Sequence, residues 1–186
     1  MKCLVKTALL GAVTLMALGT SRAEAQVGLT SSVGTVTINA TKASVLTVAI
    51  NTGGTQTLAS LTDGTTNNFA TPVNITTTWD LNAGASVSLV GFFTTPASAL
   101  VSGANLIPSS WVKGKMSTGL PTTFTAFTQN ALGGVGTAGG SLALFTDAGS
   151  LKKSRTDDLN LQLDLTGQAI IPGTYTGTLN LRAVVQ

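Results

Sequence analysis

The chain has 186 residues, of which 43% are hydrophobic and 9% charged, with one cysteine and no histidine. The missing histidine removes Ser-His and Cys-His catalysis and any histidine-held metal. The single cysteine removes an internal disulfide, so a fold of this length must be held by its apolar core.

Met1–Ala25 reads as an export signal and is excluded from the fold. Lys2 and Lys6 charge its start, Thr7–Gly19 (TALLGAVTLMALG) is apolar, and Ala23-Glu24-Ala25 has the small-x-small form of a cleavage site. The apolar run is shorter than the roughly 20 residues a membrane span needs. Cys3 precedes that run and leaves with it. The mature chain, Gln26–Gln186, is expected to be one domain without a membrane span. It carries seven Lys or Arg against six aspartates, a net charge of about +1. No basic stripe suggests nucleic acid. The expected location is the periplasm, the outer surface or the medium.

In chain order, Val36, Ile38 and Ala40 alternate with Thr35, Thr37 and Asn39, which predicts a strand. Ser44–Ile50 (SVLTVAI) is apolar on both faces, as a central, well-covered strand would be. Gln56–Leu61 reads as a weaker strand, and Asp63-Gly64 opens a turn-rich loop. Val73, Ile75, Thr77, Trp79 and Leu81 share one face of a strand. Asn82-Ala83-Gly84 predicts a hairpin into Ser86–Phe93. One short helical turn fits within Ala97–Asn105. Trp111–Met116, Phe124–Phe127 and Leu142–Phe145 read as short strands, with a glycine-rich loop over Asn130–Ser141. Leu151–Asp158 is the only charge cluster. Leu159, Leu161, Leu163 and Leu165 then alternate with polar residues. After Pro172-Gly173 the alternation resumes at Tyr175, Gly177, Leu179, Leu181, Ala183 and Val185. Ten short strands separated by turn signals predict an all-β sandwich or barrel.

Chemistry-bearing patterns are few. Gly134, Gly136 and Gly139 fit G-x-G-x-x-G, but no helix-length segment follows, so a surface loop is expected rather than a dinucleotide site. Ser110–Lys113 and Ser150–Lys153 fit S-x-x-K, yet neither lies on a predicted helix, where that spacing would bring amine to hydroxyl. Glutamate is absent from the mature chain and nothing pairs two aspartates for glycoside chemistry. No catalytic residue, metal ligand or cofactor is therefore expected. Lys152, Lys153 and Arg155 are the candidate contact for an anionic partner such as a surface glycan, although Asp157 and Asp158 balance them locally. Trp111 shares a face with Lys113 and Lys115 and is the candidate exposed ring, whereas Trp79 shares its face with core residues.

The segment Pro172-Gly173-Thr174-Tyr175-Thr176-Gly177-Thr178-Leu179-Asn180-Leu181 resembles the closing strand of secreted bacterial fimbrial subunits and spore-coat protein U-like domains. Trp79-Asp80-Leu81 is also similar to the Trp-x-Leu motif of cell-wall-binding domains. The first resemblance covers about thirty residues. It implies an immunoglobulin-like antiparallel β-sandwich, exported, with a structural or adhesive role. The function expected is thus a pilin-like or coat-like subunit, with a monomeric surface carbohydrate-binding or adhesin module as the alternative.

Gly173-Thr174-Tyr175 stands where sandwich domains place a tyrosine corner, with the strands on either side in opposite sheets. On that mapping the closing strand, with Tyr175, Leu179, Leu181, Ala183 and Val185, is an edge beside an open groove, because one strand is missing. Val33–Ala40, with Val33, Val36, Ile38 and Ala40, has the alternation to fill it. It would do so in its own domain or in a neighbour's, by self-association or by joining another surface subunit. An ordinary hairpin through Pro172-Gly173 is the competing reading. Protein taken from the producing cell is expected to begin at Gln26, which intact mass checks; retention of Met1–Ala25 contradicts it.

Overall fold

The computed structural model describes residues 34–149 and 151–186. Residues 1–33, which include the segment expected to be an export signal and Val33, and residue 150 lie outside the described residues. Contacts divide the chain into two units, Met1–Thr41 and Lys42–Gln186. In the first unit, residues 34–41 form no strand, and Val36 and Ile38 are each 86% exposed. The strand expected over Thr35–Ala40 is therefore not formed. Alternation supplies a face, but a ladder also needs a partner backbone.

The second unit is an all-β, antiparallel sandwich. Its larger sheet contains β1 (Val45–Thr52), β2 (Thr66–Asn68), β3 (Val73–Asp80), β7 (Val112–Met116), β8 (Thr125–Ala126) and β10 (Lys152–Asp164). The order is β1-β3-β10-β7-β8. β2 continues the line of β3 along the same edge of β10. The smaller sheet has the order β11-β4-β9, with β4 at Ser86–Phe92, β9 at Ser141–Ala148 and β11 at Asn180–Val185. A separate hairpin joins β5 (Leu100–Ser102) to β6 (Asn105–Ile107). Two short 3-10 turns, Pro96–Ser98 and Ser109–Trp111, are the helical pieces among the described residues.

The core lies between the two sheets. Val73, Ile75 and Trp79 of β3 and Leu159, Leu161 and Leu163 of β10 face Val87 and Leu89 of β4 and Leu142 and Leu144 of β9. Trp79 is fully buried beside Phe145, with ring centroids 6.3 Å apart. Phe127 enters between the sheets from one side. A Cβ on Gly91 or Gly114 would stand 3.0 Å or 3.3 Å from its ring, so both sheets carry glycine where the ring wedges in.

The structure corrects several sequence expectations. β1 is an edge strand, not a central one, and leaves Val45 43% and Ile50 50% exposed. Asn82-Ala83-Gly84 does not form a hairpin. Both edges of β3 are already occupied by β1 and β10, so the chain crosses to the other sheet to begin β4. Pro172-Gly173 forms no hairpin for the same reason: β10 is flanked by β3 and β2 on one edge and β7 on the other. The final strand starts at Asn180 rather than Tyr175. Gln56–Leu61 has no ladder partner and is not a strand. The charge cluster Leu151–Asp158 belongs almost wholly to β10, where cross-strand polar pairs carry it. Thr156 and Ser154 each meet a threonine hydroxyl of β3, Thr76 and Thr78, at 2.8 Å, and Asn74 Nδ2 donates to Asp158 at 2.5 Å.

Leu163 is 1% exposed on the inward face of β10, and Asn160 faces outward opposite Lys115. Leu163→Asp is expected to cost several kcal/mol and unfold the domain, because it buries an unpaired charge. Asn160→Asp is expected to stay within about 0.5 kcal/mol. Denaturant midpoints for the two variants check the face assignment; equal shifts contradict it.

Candidate functional site: the open seam of the sandwich

The two sides of the sandwich are finished differently. On the side of β9, Phe127 fills the space between the sheets and Gln129 covers the strand edge. Gln129 exchanges backbone hydrogen bonds with Ser141, and its side-chain oxygen accepts from the N–H of Ala143 at 2.8 Å. On the opposite side, β1 and β11 each have one edge paired with no strand among the described residues. Between these edges the core is open.

The opening is a groove of about 1050 Å³. Its floor contains Val73, Phe93, Val112, Leu161 and Leu163, and Ile50, Leu179 and Leu181 lie along its length. A smaller recess of about 300 Å³ continues from Leu181 to Ala183, against Leu46 and Val48 of β1. The inward residues of β1, Leu46 and Val48, are half-buried, with β11 beside them across the recess. Among the described residues, Asp63 and Arg182 are the only charged ones lining either part, and the N–H of Ile170 donates to Asp63 at 3.2 Å.

Two loops form the jaws of the groove. One is the β10–β11 connection, Ile170–Thr178. The hydroxyl of Tyr175 donates to the carbonyl of Ile171 at 2.9 Å, the local bond expected of a tyrosine corner. Thr176 exchanges two backbone hydrogen bonds, 3.0 and 2.8 Å, with Val101 of β5. A Cβ on Gly177 would lie 2.0 Å from the carbonyl oxygen of Ala99, so only glycine permits this docking. The other jaw is the β1–β2 connection, Gly53–Asp63, whose Leu58 and Leu61 pack half-buried against the core.

The structure brings together part of the edge set read from the sequence. Leu181, Ala183 and Val185 lie in β11, Tyr175 lies in the Ile170–Thr178 jaw, and Leu179 stands between the two on the groove wall. Val36, Ile38 and Ala40 lie in the first unit and Val33 outside the described residues. Of the residues chosen as surface contacts, all but Lys152, whose side chain is 78% exposed, are engaged by the protein itself. Trp111 is half-buried against the core. Arg155 points inward over the Phe145 ring, 4.1 Å from its centroid, and makes two 2.6 Å bonds to buried Asp157. Thr118 donates to the same carboxylate at 2.5 Å. Lys153 bonds Asp147 at 2.5 Å and stands over the Trp79 ring, and Lys152 lies 3.6 Å from Asp80. Ser110 and Lys113 share no helix, and Lys113 pairs with Asp164. The glycine-rich loop leads into β9 rather than a helix. Ile50, Leu58, Leu61, Phe69 and Ile170 line the groove and were missed in the sequence. No pattern in the sequence joins these five, which come from separate strands and loops.

Chemically the groove offers apolar walls and a strand edge. Among the described residues no group of three or more His, Cys, Asp or Glu could hold a metal, and no helix is long and apolar enough to cross a membrane. No protein-family model matches the chain, and neither a curated protein nor a solved structure does.

Beyond the groove, the Lys113 ammonium, joined by hydrogen bonds from Thr166, holds the Asp164 carboxyl well below the ordinary carboxylate range. A depressed carboxyl contributes stability above its unfolded pKa of about 3.9, and loses it as pH falls toward the folded value. Asp164→Asn is therefore expected to destabilise the protein at neutral pH, with an effect that begins to shrink near pH 4 and dwindles progressively as pH falls further. Melting curves of both proteins across pH 2–7 check this; a difference independent of pH contradicts it.

Proposed function

We propose that this chain is an exported, non-enzymatic structural or surface protein, a pilin-like or coat-like subunit that binds an extended segment along the free edge of β11. The observation that carries the reading is the pairing of an unclosed strand edge with an apolar groove in a sandwich whose other side is closed. A free edge supplies hydrogen bonds to an added strand, and the groove supplies burial for alternate side chains.

The occupant we propose is Val33–Ala40 (VGTVTINA). It is uncharged, like most of the groove lining, and places Val36 and Ile38 two residues apart, as a strand entering an apolar groove requires. Both side chains are fully available at 86% exposure. In its own domain the segment would use Thr41–Ser44 as the turn into β1; in a neighbour's it would build a head-to-tail assembly. The carbohydrate-binding alternative rests on Trp111, Lys152, Lys153 and Arg155; Trp111 is half-buried and Lys153 and Arg155 are paired with carboxylates, which leaves Lys152 as the largely exposed member and favours the strand-binding reading.

Deleting Gln26–Ala40 tests it. The truncated domain is expected to melt lower or to aggregate, and to be rescued by the Val33–Ala40 peptide added in trans. Light scattering across a concentration series separates self-filling from assembly. A truncated domain that stays monomeric, melts as before and ignores the peptide overturns the reading.

A further inference from the structure

The two jaws of the groove are held unequally. The Ile170–Thr178 jaw is fastened at both ends and inside its span: Ile170 N–H donates to Asp63, the Tyr175 hydroxyl donates to the carbonyl of Ile171, and Thr176 exchanges two backbone bonds with Val101. The Gly53–Asp63 jaw is fastened only at its ends. At one end, Gln56 Nε2 donates to the carbonyl of Gly53 at 2.7 Å. At the other, the Asn67 side chain accepts from the N–H of Thr62 at 2.8 Å and donates to its carbonyl at 3.1 Å, while Gly64 N–H donates to Gln168 at 3.0 Å. Between these fastenings, from Thr57 to Leu61, no backbone N–H or C=O has a hydrogen-bond partner among the described residues. Leu58 and Leu61 nevertheless rest against the core, so an unpaired stretch of backbone lies along the rim of the groove.

We propose that Thr57–Leu61 is a clamp that folds into a strand over an occupied groove and pairs with the outer edge of the bound segment. The proposal rests on the strand-binding reading above. A segment added to β11 uses one of its edges there and presents a second row of N–H and C=O groups to the rim. Backbone groups that become covered must find partners, and the unpaired strap supplies them. The strap's own sequence, Thr-Leu-Ala-Ser-Leu, has no proline, glycine or charge to oppose a ladder. Because both ends are already anchored, ordering falls on only a few residues. The opposite jaw is less free to respond, since both backbone groups of Thr176 are already bonded to Val101 of β5 and Pro172 has no N–H to give. The strap therefore acts mainly on how long a bound segment stays, by adding bonds that must break before it leaves.

The test uses the full mature chain carrying Val36→Asp and Ile38→Asp, which disables its own segment at two exposed positions, together with a synthetic Val33–Ala40 peptide. Hydrogen exchange is expected to slow about tenfold or more on adding peptide, both at Leu181–Val185 and at Thr57–Leu61. In the same background Ala59→Pro removes one strap N–H. It is expected to speed peptide dissociation several-fold, about the worth of one hydrogen bond, without lowering the melting temperature of the peptide-free protein. Ala59→Ser, which keeps the N–H, is expected to dissociate at the parent rate. Protection of β11 without protection of the strap, or unchanged dissociation for Ala59→Pro, overturns the clamp while leaving strand addition standing. Protection of neither segment overturns strand addition and the clamp with it.

Discussion

The structure depends on the inward row of β10. At one end this row is Lys153, Arg155 and Asp157; at the other it is Leu159, Leu161 and Leu163. The leucines anchor the core against both β3 and β7, and their burial is the main source of stability in a chain without disulfides. The charged end is tolerated because each member has a partner. Arg155 forms a forked pair with Asp157, Thr118 completes the carboxylate, and Lys153 reaches Asp147 at the rim. An unpartnered charge at Asp157, which is 3% exposed, would cost several kcal/mol. One strand thus spans the change from a polar rim to an apolar interior.

Because β10 pairs along both edges, it also dictates the path of the chain around it. β3 lies between β1 and β10, so β4 must start in the other sheet; β10 lies between β3 with β2 and β7, so β11 must do the same. The smaller sheet is therefore assembled from strands turned away from the larger one. With only three members it covers part of the larger sheet's inner face. Phe127 and Gln129 make up the shortfall beside β9, and nothing among the described residues does so beside β11. The groove is a geometric consequence of unequal sheets, and its apolar lining is core left uncovered. That gives the proposed strand-binding reading its physical basis: the seam lacks both a layer of side chains and a row of hydrogen bonds, and one extended segment would supply both.

Much of the fold was legible in the residues. Period-two alternation at Val73–Leu81 and Leu159–Leu165 marked the two central strands and their inward faces, and it also separated buried Trp79 from the wet face. The missing histidine, the lone early cysteine and the scarcity of charge bounded the chemistry before any fold was known. Alternation is a local property, set by side chains pointing to opposite faces of one strand, so one sequence carries it. Tertiary structure decided which strands are neighbours and which edges remain open. Ser44–Ile50 looked central because it is apolar on both faces, yet β1 is an edge whose Ile50 lies beside an uncovered groove. Leu151–Asp158 stood out only as a charge cluster, because the strand it forms is set by pairing with β3, and Lys152, Asp157 and Asp158 find Asp80, Thr118 and Asn74 far away in sequence. Pairing, closure and the asymmetry of the two jaws arise from contacts between remote segments, and those exist only once the chain has folded.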